Sequence, residues 1–134
     1  MEKISNLKGI GKPDVKKLSA AGIDTLNDLL EKCGPAKARA EVAKATGIDK
    51  KQLLIWANHA DLFRIKGVGT EYSHLLEAAG VDSCKELASR KAVNLTRKIE
   101  EVNTEEQLVK KIPTQSMVED WISQAKSLPK VVTH

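Results

Sequence analysis

An internal repeat limits what this chain can fold into. Residues 7–30, LKGIGKPDVKKLSAAGIDTLNDLL, align without a gap on residues 65–88, IKGVGTEYSHLLEAAGVDSCKELA, at an offset of 58. Lys8, Gly9, Gly11, Leu18, Ala20, Ala21, Gly22, Asp24 and Leu29 are matched by Lys66, Gly67, Gly69, Leu76, Ala78, Ala79, Gly80, Asp82 and Leu87. Ile10/Val68, Ile23/Val81 and Thr25/Ser83 are conservative pairs. The repeat continues more weakly in Trp56 with Ala60 and Trp121 with Ala125, where the offset is 65. The second copy therefore carries about seven extra residues, placed around Asn103–Lys111. A fixed period of this kind marks one supersecondary unit used twice. Each copy is too small to bury much core alone, so the expectation is two copies packed into one compact body.

Caps and periodicity predict helices throughout. Gly11-Lys12-Pro13 turns into a first helix, with Pro13 early enough that its missing N–H is harmless. That helix ends at Gly22, where a left-handed glycine suits a helix terminus. Asp24 is expected to cap a second helix to about Lys32, and Gly34-Pro35 separates it from a third over 36–45. Asp49 with Gln52 starts a fourth through Trp56. The second copy predicts helices near 71–79, 83–91, 94–102 and 115–127, with an extra short one at 105–110 capped by Thr104. The domain boundaries fall at 1–61 and 62–128. Residues 129–134 follow Pro129 and are expected to fray as a tail.

Composition agrees with close-packed short helices. Apolar residues make up 41% and charged residues 30%, the balance of a folded chain. Trp56, Trp121, Tyr72 and Phe63 are the only aromatics, so Leu, Ile, Val and Ala must form the core. No apolar run nears the roughly 20 residues a membrane span needs, and the first residues lack a signal-peptide core. Cys33 and Cys84 stand far apart and read as reduced thiols of a cytoplasmic protein. Cys84 replaces Leu26 of the first copy and reads as a small hydrophobe. The first 61 residues hold 11 basic and 8 acidic side chains, net +3, and the remainder 11 and 10, net +1. This mild excess permits contact with nucleic acid without demanding it.

The chemistry resides in Gly-h-Gly, where h is apolar. Two glycines around one apolar residue make a tight turn that another molecule can approach closely. Ile10 or Val68 is expected to point inward as the anchor. The amides after the second glycine then open a helix, and unpaired donors and the helix dipole favour an anion there. A DNA phosphate is the natural candidate. The pattern resembles the helix-hairpin-helix motif of DNA-repair and recombination proteins, and the G-I/V-D-T/S segment that follows resembles its paired form. Along its length, the chain resembles a bacterial family of small tandem helix-hairpin-helix proteins classed as a domain of unknown function. The match rests on Ala60-Asp-Leu-Phe-Arg-Ile-Lys-Gly-Val-Gly69, the Trp-bearing helices and the Leu-Pro-Lys-Val-Val segment. The resemblance implies an all-α fold of two tandem helix-hairpin-helix repeats, each a SAM-like small helical bundle. It implies sequence-independent binding to the DNA backbone. Carried over residue by residue, the phosphate contacts are Gly9, Gly11 and Lys12, and Gly67, Gly69 and Thr70. Lys8, Lys16, Arg64 and Lys66 supply supporting charge.

Two features weigh against a phosphate at every hairpin. Pro13 removes an N–H, and Glu71 places a negative charge at the second site. A protein–protein interaction module on the same scaffold is the alternative reading, and glycines that only make turns are the structural one. Trp56 and Trp121 could stack on bases, but their spacing to Ala60 and Ala125 favours packing. The pairs Lys16-Lys17, Lys50-Lys51, Arg97-Lys98 and Lys110-Lys111 read as solvated faces. His59, His74 and His134 form no ligand set, and no nucleophile–base set or nucleotide loop is present. No enzyme, cofactor, metal, membrane or small-molecule substrate is expected.

Overall fold

Eight α-helices carry the regular structure of the chain in a computed structural model that describes residues 3–7 and 9–133. Among the described residues no strand forms; the only pairing of that kind is an antiparallel bridge between Lys3 and Thr25. Among the described residues no helix is long and apolar enough to cross a membrane. Contacts divide the chain into two units, Met1–Asp61 with Val131–His134, and Leu62–Lys130.

The first unit opens with a 3-10 turn, Ile4–Asn6, followed by α1 (Lys12–Ala20), α2 (Leu26–Cys33), α3 (Ala36–Thr46) and α4 (Lys50–Leu62), which reaches the unit boundary. Pro13 lies in the first turn of α1, as expected. α1 ends where Ile23 N donates to Leu18 O at 2.9 Å and Gly22 turns left-handed at φ +83°. The cap of α2 is Thr25 rather than Asp24. Thr25 Oγ1 accepts from Asp28 N, and Asp28 Oδ2 accepts from Thr25 N, both at 3.1 Å. This is a capping box, and it satisfies two end donors together. The Asp24 carboxylate instead accepts from Ser19 Oγ at 2.6 Å. α2 packs on α3. Leu18, Ile23, Leu29, Cys33 and Leu53 are fully buried. Burial pushes the Cys33 thiol up to about 11 against the pull of Arg39 and Lys32, so it is a neutral core side chain.

The second unit contains α5 (Thr70–Ala78), α6 (Cys84–Ala88), α7 (Ala92–Glu106) and α8 (Gln115–Ser127). α8 packs on α6 and α7, and α5 on α7. The core joins Leu75, Leu76, Leu87, Ile99, Val118 and Trp121. α5 closes as α1 does: Val81 N donates to Leu76 O at 2.8 Å, and Gly80 stands at φ +94°. Ser83 caps α6, and Cys84 is buried at its first position, as Leu26 is in α2.

The extra residues of the second copy do not form a helix of their own. α7 continues through the expected break, and Thr104 lies inside it, its hydroxyl bonded to Glu100 O at 2.8 Å. The helix stops at Gln107, which is left-handed at φ 50°. Behind it the buried Asn103 side chain grips Val109 at both main-chain groups, at 3.0 and 3.1 Å. That grip fixes a non-helical connection where a helix over 105–110 is expected. The segment expected to fray is also ordered: Val132 is buried and Thr133 is hydrogen-bonded to the α2–α3 corner.

Candidate functional site

The Gly-h-Gly turns lead into α1 and α5. In the first, Ile10 N donates to Leu7 O at 3.4 Å, and in the second Val68 N donates to Ile65 O at 3.1 Å. Gly9 and Gly67 stand at φ +85° and +96°, where a side chain is strained. Val68 is buried as an anchor, whereas Ile10 is only half-buried. Gly11 and Gly69 are the N-caps, extended and exposed, and neither helix has a side-chain cap. Their carbonyls accept the first helical bonds, from Val15 and Ser73.

Around the first turn, Lys12 and Lys16 are exposed on α1, with Asp14 in the same first turn. Lys8 lies outside the described residues. A side chain built on Gly9 would meet nothing within 4 Å, so this turn is open to an approaching molecule. Ser73 replaces Val15 in the second copy. It is buried and returns its hydroxyl to Thr70 O at 2.9 Å.

α8 lies against the second turn. A Cβ on Gly67 would stand 3.1 Å from Trp121 Nε1. Lys66 is held at both main-chain groups by Gln124: its N–H donates to Oε1 at 2.8 Å, and its carbonyl accepts from Nε2 at 3.2 Å. Tyr72, in the first turn of α5, tilts against Trp121 with ring centroids 5.3 Å apart. Its hydroxyl donates to Lys111 O at 3.0 Å. Arg64, half-buried, donates to Pro129 O at 2.8 Å. Gly67, Gly69 and the Lys66 side chain remain exposed, with Glu71 beside them. The two turns thus share a backbone and differ in surroundings.

Gln124, Tyr72 and Trp121 are the residues that sequence reasoning left out of the site. Gln124 lies one turn beyond Trp121 on α8, and nothing in its spacing marks a contact 58 residues away. Among the described residues no group of His, Cys, Asp and Glu could hold a metal.

A family described as a domain of unknown function (DUF4332) matches residues 8–128. The chain belongs to that family. No curated protein and no solved structure matches it. The DUF4332 match takes in both glycine turns, the connection after α7 and the side chains of α8, and stops before Val131–Thr133.

Proposed function

We propose that this chain is a non-catalytic binding module that holds the DNA backbone without sequence preference. In this reading it is a tandem helix-hairpin-helix protein, with Gly9, Gly11 and Lys12 in one hairpin and Gly67, Gly69 and Thr70 in the other. The observation that carries the reading is the repeated turn. A left-handed glycine is followed two residues later by an exposed glycine N-cap without a side-chain cap, once before α1 and once before α5. Helix-start amides of that kind favour an anion. Lys12 and Lys16 add charge to the first, which is also the more open turn. Glu71 and the engagement of Lys66 by Gln124 favour the second reading, a hairpin used to contact protein.

Each hairpin offers amides for about two phosphates, so log K against log salt should slope by about −3 to −4, with a dissociation constant of roughly micromolar to hundred-micromolar. Lys12→Glu reverses charge at an exposed helix start and should weaken binding several-fold, more at low salt. Lys130→Glu, also exposed, is the charge-matched control. Fluorescence anisotropy with labelled duplex, single-stranded and branched DNA measures both. Equal losses in the two variants would reduce the effect to diffuse charge. No binding at low salt would leave the protein-contact reading.

A further inference from the structure

The corner between α2 and α3 is filled by residues from almost a hundred positions along the chain. Gly34 ends α2 and Pro35 begins α3. Thr133 N donates to Gly34 O at 2.9 Å, and Thr133 Oγ1 accepts from Ala36 N at 2.8 Å. Arg39 is 5% exposed. Its guanidinium donates to Cys33 O and Gly34 O, each at 2.9 Å, and to Thr133 O at 2.7 Å. Val132 is buried. A Cβ on Gly34 would clash first with Leu30 O of α2 and would also stand 2.9 and 3.0 Å from Val131 Cγ1 and O, so both the helix end and the packed segment leave room only for glycine. In the second unit the connection between α6 and α7 is Ser89-Arg90-Lys91, with neither the glycine nor the proline of the α2–α3 corner. The corner is therefore particular to the first unit.

A buried arginine that spends a hydrogen bond on a main-chain carbonyl reads backbone rather than side-chain identity. Ala36 N selects an acceptor at the next side chain, Gly34 O accepts a main-chain amide, and one β-branched side chain is covered. The chain that makes these contacts is short and non-helical, and it follows the exposed Pro129 and Lys130. We propose that the α2–α3 corner is a peptide-acceptor site for a short non-helical segment in which a small apolar residue precedes threonine. Val131–Thr133 occupies it as a detachable clasp. Being tethered, the clasp competes at an effective concentration that a free peptide does not reach.

The test uses the full chain and a fluorescein-labelled peptide copying residues 127–133, Ser-Leu-Pro-Lys-Val-Val-Thr. Val132→Asp cannot bury its side chain and releases the clasp. The wild type should take up no peptide, because its own segment holds the site. The Val132→Asp chain should bind the peptide, and bind at least about tenfold more weakly a peptide with Asp in place of its second valine. Uptake of neither peptide by a folded Val132→Asp chain overturns the proposal, as does equal uptake of both. Loss of the helical circular dichroism signal in Val132→Asp makes the segment integral to the unit and overturns it as well. Hydrogen exchange on the wild type gives an independent reading. The amides of Ala36 and Thr133 should exchange together and faster than that of Leu29 in α2, and exchange of all three at one rate is the contrary result.

Discussion

The Asp28 carboxylate performs two local tasks at once, and its acidity records them. Its carboxylate accepts from the amides of Asp24 and Thr25, and those two bonds hold its pKa below the ordinary 3.8. A folded-state pKa lowered in this way contributes stability above the unfolded value, and that stability is lost as pH falls through the folded one. The melting temperature of Asp28→Asn should therefore lie below the wild type at neutral pH. The gap should close in acid, starting near about pH 5. A gap that stays constant to the lowest pH would assign the effect to something other than the carboxylate charge. Gly9 and Gly67 permit a second comparison at this scale. Both sit at positive φ, which costs alanine about 1–2 kcal/mol. A methyl on Gly9 meets nothing, whereas one on Gly67 presses on the Trp121 indole. Gly67→Ala should lower the urea midpoint more than Gly9→Ala. The reverse order would mean that α8 does not rest on the second turn.

Elements of the second unit are joined by amide side chains that imitate a peptide neighbour. Gln124 on α8 does this to Lys66, and Asn103 on α7 does it to Val109. In both cases one side chain satisfies a main-chain donor and an acceptor together. Asn103 and Val109 are both buried, so water cannot replace the lost bonds. Asn103→Leu should cost about 1–3 kcal/mol for each main-chain group left unpaired, read as a lower urea midpoint at unchanged slope. A loss under about 0.5 kcal/mol, the size of an ordinary surface change, would show that the connection after α7 finds other partners. A related device closes α1 and α5. Lys32 Nζ donates to Ala21 O at 3.3 Å, and Arg90 Nη2 to Gly80 O at 3.0 Å, each a cation set against the end of a helix.

Over the whole molecule, the chain leaves the first unit at Asp61 and returns to it at Val131. A fragment of residues 1–61 therefore lacks part of its own unit. It loses burial of Val132, worth about 1.5–3 kcal/mol, and removes the Thr133 carbonyl from the buried Arg39. That second loss leaves a charged donor short of a partner, which is costly in an interior. Such sums are a large share of the stability of a small domain. Circular dichroism during heating should show a broad transition for this fragment at a lower temperature than for the full chain. A sharp transition at the temperature of the full chain would mean that residues 131–133 contribute nothing to the unit.

What the sequence determined by itself is local. Helices at nearly every expected place, the glycine turns before α1 and α5, and the left-handed stops at Gly22 and Gly80 all follow from i to i+4 bonding and from the one residue that tolerates positive φ. Two local expectations failed where neighbouring residues competed for one task. Thr25 displaced Asp24 as the cap of α2, because only Thr25 can pair reciprocally with Asp28 three residues on. Thr104 became the interior of a longer helix, because continuing α7 satisfied the backbone as well as a new cap would. The rest was decided in three dimensions. Gln124 meets Lys66 across 58 residues, Tyr72 meets Lys111 across 39, and Thr133 meets Ala36 across 97. None of these pairs leaves a period or motif in the chain. A side chain that serves a distant main-chain group answers to the position of that group, not to its identity.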